Sequence, residues 1–163
     1  MTTAHDFAFK QLNGAAPVAL KDFAGKVVLL VNVASACGLT PQYGPLEKLY
    51  EDRKAKGLVV LGAPCNDFGA QESGTEGEIG SFCETHFGVT FPMTEKVKVN
   101  GKNRHPLYAE LVQAPDAHGM AGPVTWNFEK FLVLPSGEVH RFRPNVKPDA
   151  PEIVALIEAN LPA

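Results

Sequence analysis

Three cysteines in 163 residues, at positions 37, 65 and 83, are too few and too far apart for a disulfide framework, and an odd count leaves at least one thiol unpaired. The chain also lacks any apolar stretch approaching the roughly 20 residues of a membrane span, and Met1–Asp6 has no basic segment leading into an apolar one. The expectation is a cytoplasmic protein whose cysteines are reduced, with no stable membrane association. Nor is there a run of like charge. With 15 Lys and Arg against 18 Asp and Glu, the formal charge is -3, which gives neither nucleic acid nor an anionic surface anything to hold. Repeats, low-complexity tracts and linkers are missing too, so residues 1–163 are expected to form one domain around one core.

What is present reads as an α/β chain. Phe7 to Leu12, the turn signal Asn13-Gly14 and the return at Val18-Ala19-Leu20 predict an N-terminal β-hairpin. Val27 to Val33 is apolar throughout except for Asn32, the pattern of a strand buried on both faces. Leu46, Leu49, Tyr50 and Arg53 then follow helical spacing up to Gly57, and Leu58 to Ala63 reads as a second buried strand, completing a βαβ unit. Thr75 and Glu78 have the spacing of a capping box before a helix carrying Ile79, Phe82, Cys83 and Phe87 on one face. A short helix from Pro106 through Val112, strands over Phe128–Leu134 and Val139–Phe142, and a last helix from Pro151 to Asn160 complete the pattern. The connection of the last two strands is too short for anything but antiparallel pairing. That order predicts a thioredoxin-like fold: a central mixed β-sheet flanked by helices, with the hairpin at its start.

Cys37 is the residue that carries chemistry. It follows the first buried strand and precedes a helix start, where unpaired backbone N–H groups favour a thiolate. An ordinary thiol, with a pKa of about 8.5, is only a few per cent ionised at neutral pH, so donors around it decide its reactivity. The three blocks NVASACGLT (32–40), PCNDFGAQESG (64–74) and WNFEKFLV (126–133) are together more specific than any single residue. In these blocks the chain resembles the glutathione peroxidase family, in its cysteine-using, thioredoxin-dependent bacterial type, over about residues 5–160.

The resemblance implies a peroxidase that reduces hydrogen peroxide and organic or lipid hydroperoxides without a cofactor or metal. Cys37 would be the attacking thiolate, with Gln71, Trp126 and Asn127 as donors to it and to the departing oxyanion. It further implies that Cys83, placed where thioredoxin-using members carry a resolving cysteine, condenses with oxidised Cys37; Cys65 is the other candidate. Gly77 and Gly80 inside that helix, each costing about 1 kcal/mol relative to Ala, soften it for the rearrangement. Thioredoxin or glutathione would be the reductant, and the short segment between Pro106 and Trp126 implies a monomer with an open site. The sequence departs from the family at Asp67, where Gln is more usual and where a carboxylate near Cys37 would oppose its ionisation, and at Ser73, where Pro is common. Thr40 stands where a Cys-x-x-Cys carrier would have its second cysteine, which disfavours a simple disulfide carrier.

Three rival readings and one loose end remain open at this level. A thiol relay would pass the same disulfide to a partner protein, and a one-cysteine peroxidase would use glutathione alone. A metal site built on Cys83 and His86 would need Cys65 with His105 or His118 to converge without recognisable spacing. Arg141, Arg143 and Lys147 are candidates for a basic cluster, or else a solvated strand edge.

Overall fold

A computed structural model describes residues 3–12 and 17–162. Strands β1 (Ala8–Phe9) and β2 (Val18–Ala19) pair antiparallel with Phe9 opposite Val18, the expected hairpin; its Asn13-Gly14 turn lies outside the described residues. The main sheet is built around β3 (Val27–Val33), in which every residue is buried. Strand β4 (Leu58–Pro64) pairs parallel to β3, reached through helix α1 (Tyr43–Arg53). On the other side β5 (Lys130–Val133) pairs antiparallel to β3, and β6 (Val139–Phe142) to β5, giving the order β4-β3-β5-β6. Helices α2 (Glu76–Phe87), α3 (Pro106–Leu111) and α4 (Pro151–Asn160) complete the set. Among the described residues no helix is long and apolar enough to cross a membrane.

Alternation along β3 divides the interior in two. Val27, Leu29, Val31 and Val33 face a cluster that holds Cys37, Tyr43 and Leu46, Ile79 and Cys83 of α2, and Ile153 and Ile157 of α4. Val28 and Leu30 face a second cluster with Cys65, Phe9, Val18, and Leu107, Tyr108 and Leu111 of α3. The sheet therefore separates Cys65 from the other two cysteines.

Two expectations need correction. The strand predicted over Phe128–Leu134 is shorter at both ends: Phe128 is left-handed (φ 66), and Leu134 turns through Gly137 (φ 93) into the β5–β6 connection. Arg141 on β6 and Arg143 just beyond it are neither a solvated edge nor an exposed basic cluster. Arg141 is 2% exposed, with Nε donating to Glu129 Oε2 at 2.6 Å and Nη2 to the Pro123 carbonyl at 2.9 Å. Arg143 donates to Asp116 Oδ2 at 2.9 Å and to Glu129 Oε2 at 3.1 Å, and only Lys147 of the three is exposed. These ion pairs draw the loop between α3 and Trp126 onto the sheet. Asp116, which also takes the backbone N–H groups of Met120 and His118, is held down to about 2 by those bonds and by Arg143.

Replacing Arg141 by Met would leave the buried Glu129 carboxylate to Arg143 and Thr125, so the variant should lose about 3 kcal/mol of stability, the lower end of what removing one partner of a buried ion pair costs. Urea unfolding measures this; a loss under 1 kcal/mol would mean the network is dispensable.

Candidate active site

Cys37 lies in the bend that leaves β3, and it is 9% exposed. It sits ahead of a 3-10 turn (Thr40–Gln42) rather than on the first turn of α1, which begins only at Tyr43. The local donor to its sulfur is one backbone group, Leu39 N–H, at 3.3 Å. Thr40 explains why no second cysteine stands there: its hydroxyl accepts from Cys37 N–H at 2.9 Å and donates to the Ala34 carbonyl at 2.8 Å, closing the bend around the thiol.

The polar partners expected from sequence come from two other segments. Gln71 follows a tight turn in which Gly69 (φ 62) and Ala70 (φ 52) are both left-handed, and its carbonyl accepts from Ala36 N–H at 3.0 Å, directly beside Cys37. Asn127 donates from Nδ2 to Gln71 Oε1 at 3.0 Å, so the two amides form a pair whose remaining donors are the Gln71 NH2 and the second N–H of Asn127. Trp126 is 37% exposed and packs against Phe68, with ring centroids 5.6 Å apart; a side chain at Gly69 would meet its ring at 3.3 Å. Gln71, Trp126 and Asn127 thus meet at one edge of the Cys37 bend.

What holds this edge is a residue the sequence presented only as a blemish in an apolar run. Asn32 on β3 donates from Nδ2 to the Trp126 carbonyl at 3.1 Å and accepts from Glu129 N–H at 3.1 Å, while its own carbonyl accepts from Phe128 N–H at 2.6 Å. This clamp maintains the left-handed Phe128, a conformation costing about 1–2 kcal/mol for a side chain of that size. Phe128 in turn packs edge-on against Tyr43 at 5.5 Å. The left-handed step lets Phe128 enter the core while the two residues before it stay at the site.

Cys83 sits on α2, 2% exposed, in the same apolar cluster as Cys37. Burial pushes its thiol up to about 11, with the Glu72 carboxylate adding to the rise; the Tyr43 hydroxyl lies toward it without completing a hydrogen bond. Cys65 is pushed up to about 12, chiefly by burial, although its sulfur accepts from Asp67 N–H at 3.4 Å. Asp67 does not approach Cys37 as the sequence suggested. Its carboxylate takes Val99 N–H at 2.9 Å and lies 3.6 Å from Lys98 Nζ. Among the described residues no three His, Cys, Asp or Glu side chains gather as a metal site; His105 instead caps α3, accepting from Leu107 N–H at 3.1 Å, and stacks on Phe9. One further residue went unread in the sequence: Glu72, buried and bonded to Ser35 N–H at 2.8 Å.

A thioredoxin-like sheet with one thiol at the exit of its central strand, and with Gln71, Trp126 and Asn127 rather than a second cysteine at the edge of that bend, fits a thiol peroxidase. The glutathione peroxidase family model matches residues 4–112, and this chain belongs to that family. It is 52% identical to the hydroperoxy fatty acid reductase gpx1 of Synechocystis sp. over 96% of this chain and 94% of that protein. It is 44% identical to the thioredoxin/glutathione peroxidase BtuE of Escherichia coli over 87% and 88%. A crystal structure of Trgpx in its apo form superposes with a TM-score of 0.75 at 37% identity, covering 99% of this chain and 100% of that one. The protein is accordingly a peroxidase of the α/β, thioredoxin-like class.

Asn32→Leu keeps the size and removes both side-chain bonds, leaving Glu129 N–H and the Trp126 carbonyl unpaired. At about 1–3 kcal/mol for each stranded buried group, the variant should lose about 2–6 kcal/mol. Because Trp126 is the sole tryptophan, its emission should shift as well; wild-type emission and stability together would show that the clamp does not hold the site.

Proposed function

We propose that this chain reduces hydrogen peroxide and organic or lipid hydroperoxides through a two-cysteine cycle recharged by thioredoxin. The Cys37 thiolate attacks the O–O bond, the alcohol or water departs, and Cys37 becomes a sulfenic acid. Gln71, Trp126 and Asn127 serve as the donors to the thiolate and to the departing oxyanion. Cys83 then displaces hydroxide from the Cys37 sulfur, and thioredoxin reduces the resulting disulfide. The observation that carries this reading is the division of the cysteines: Cys83 shares the apolar cluster of Cys37, whereas Cys65 lies behind the sheet. The thioredoxin in the name of the Escherichia coli relative supports the reductant, and the fatty-acid hydroperoxide in that of the Synechocystis relative supports the wider substrate range. Three free thiols fit a monomer working in a reducing cytoplasm.

Resolution requires α2 to yield, since both thiols are buried in the reduced protein. The helix is tied at its ends. Thr75 and Glu78 form the expected capping box, Lys96 Nζ holds the Gly74 carbonyl, and Gly88 (φ 59) closes the far end. Beyond it, Thr90 N–H and hydroxyl are both held by the Glu47 carboxylate. Gly77 lies in its first turn, within the cap, and Gly80 in its middle, so the turn before Cys83 is the softest part of an otherwise anchored helix.

Steady-state peroxide consumption with thioredoxin and its reductase should be abolished in Cys83→Ser; equal glutathione-driven turnover by both proteins would reduce Cys83 to a core residue. Stiffening the helix tests the same step from the other side. A Cβ at Gly77 meets nothing closer than Thr75 Oγ1 at 4.0 Å, and one at Gly80 meets Leu12 at 3.6 Å, so alanine fits at both. Each Gly→Ala change should stabilise α2 by about 1 kcal/mol and slow Cys37–Cys83 disulfide formation about fivefold in rapid-quench experiments. Unaltered disulfide formation in the double variant would rule out opening of this helix as the route.

A further inference from the structure

Glu72 is a buried carboxyl that the cycle above leaves unused. It is 1% exposed, and it is built into the Cys37 side of the site: its N–H donates to Asn66 Oδ1 at 2.9 Å and its Oε2 accepts from Ser35 N–H at 2.8 Å, two residues before Cys37. Its Oε1 is buried without a partner, as is the neighbouring Ser35 hydroxyl. The carboxyl lines a cavity of about 290 Å³ bounded by Ser35, Ala36 and Gln71 on one side and by Ile79 and Phe82 of α2 on the other. Those last two residues lie one turn before Cys83 and immediately before it. An unsatisfied carboxylate oxygen therefore occupies the space between the loop that carries the attacked sulfur and the helix that carries the attacking one.

The geometry points to Glu72 as the group that accepts the Cys83 proton when Cys83 attacks oxidised Cys37, an assignment that rests on the resolving role proposed above. In this step the Cys83 S–H bond breaks and its proton passes to Glu72. The new S–S bond forms as the Cys37 S–O bond breaks, and the hydroxide leaves as water with the proton that Glu72 held. The Cys37 sulfur is reduced, the Cys83 sulfur is oxidised, and Glu72 returns to its starting state.

The surrounding charges suit this exchange. Burial raises the Glu72 carboxyl above its ordinary value, opposed by the Ser35 N–H bond and by Lys96. Its charge also helps hold the Cys83 thiol protonated at rest. Transfer of the proton neutralises Glu72 and so removes that repulsion as the thiolate forms, leaving one negative charge on the pair before and after. Tyr43 faces Cys83 from α1, and the exposed Glu78 lines the outer part of the cavity. Neither is a buried acceptor of this kind: Tyr43 is itself held protonated by burial, and Glu78 is exposed to solvent, with one of its oxygens on Thr75 N–H at 3.1 Å.

The test compares wild type with Glu72→Gln in single-turnover reactions with one equivalent of hydrogen peroxide, quenched with acid, alkylated, and resolved by mass spectrometry into sulfenic and disulfide forms across pH. Wild-type resolution should slow as pH falls through the Glu72 ionisation and level off above it. Glu72→Gln should resolve roughly 100-fold more slowly at neutral pH, at the lower end of general-base effects, with a rate that climbs with pH toward the Cys83 ionisation. Should Glu72→Gln fold poorly, Glu72→Ala with added formate replaces it. Formate-dependent recovery supports the assignment, and slow resolution that neither formate nor pH alters overturns it. If wild type and Glu72→Gln resolve at the same rate at every pH, Glu72 is not the acceptor, although Cys83 still resolves. If wild type itself yields no Cys37–Cys83 disulfide, the resolving role and the Glu72 assignment fall together.

Discussion

The Asn32 side chain, buried at the centre of the sheet, is the constraint on which the site depends. An amide in an apolar strand costs free energy unless both of its ends are satisfied, and here they are satisfied only by the chain from Trp126 to Glu129. The strand thereby selects one path for a segment more than ninety residues away. That path places a left-handed residue at Phe128, sends its ring into the core against Tyr43, and leaves Trp126 and Asn127 beside Gln71. Removal of the amide would cost the site before it cost the fold, because β3 has six other buried residues to hold the sheet together.

The same sheet sorts the three thiols by chemistry. Cys65 follows β4 with its side chain in the cluster under α3, where burial holds it protonated and the sheet bars it from Cys37. Cys83 is held protonated as well, but on the near side, where only the yielding of one helix separates it from the bend. Burial thus holds both thiols protonated, one behind the sheet and one on the side of Cys37, where the proposed resolving step would need α2 to open.

Most of the elements were legible because their signals are local. The apolar run of β3, the capping box at Thr75 and Glu78, and the proline starts of α3 and α4 each follow from a few neighbouring residues. The site was legible through its three blocks, whose residues meet at one edge of the Cys37 bend. What escaped were features defined by distant partners. Nothing near Phe128 in the sequence announces a positive φ, because its cause is Asn32. Arg141 and Arg143 read as surface charge, since their carboxylates, Glu129 and Asp116, belong to other segments. Asp67 looked threatening to Cys37 because sequence adjacency to Gln71 suggested spatial adjacency, whereas the tight turn at Gly69 and Ala70 separates the two.

Helix α2 shows how stability and reactivity are divided within one element. Its ends carry the strongest local bonds available: a reciprocal cap at Thr75, a lysine on the Gly74 carbonyl, and a carboxylate on Thr90. Such bonds matter for a helix that has a glycine, Gly80, in its middle, because they limit opening to the turns between them. In the proposed cycle, opening confined in this way would expose Cys83 without releasing the segment on either side, so the disulfide could form and the helix could close on the same register once it is reduced. A uniformly stable helix would keep Cys83 from Cys37, and a uniformly weak one would expose the thiol, whose burial protects it from oxidation at rest. The anchored ends and soft middle meet both requirements with ordinary residues.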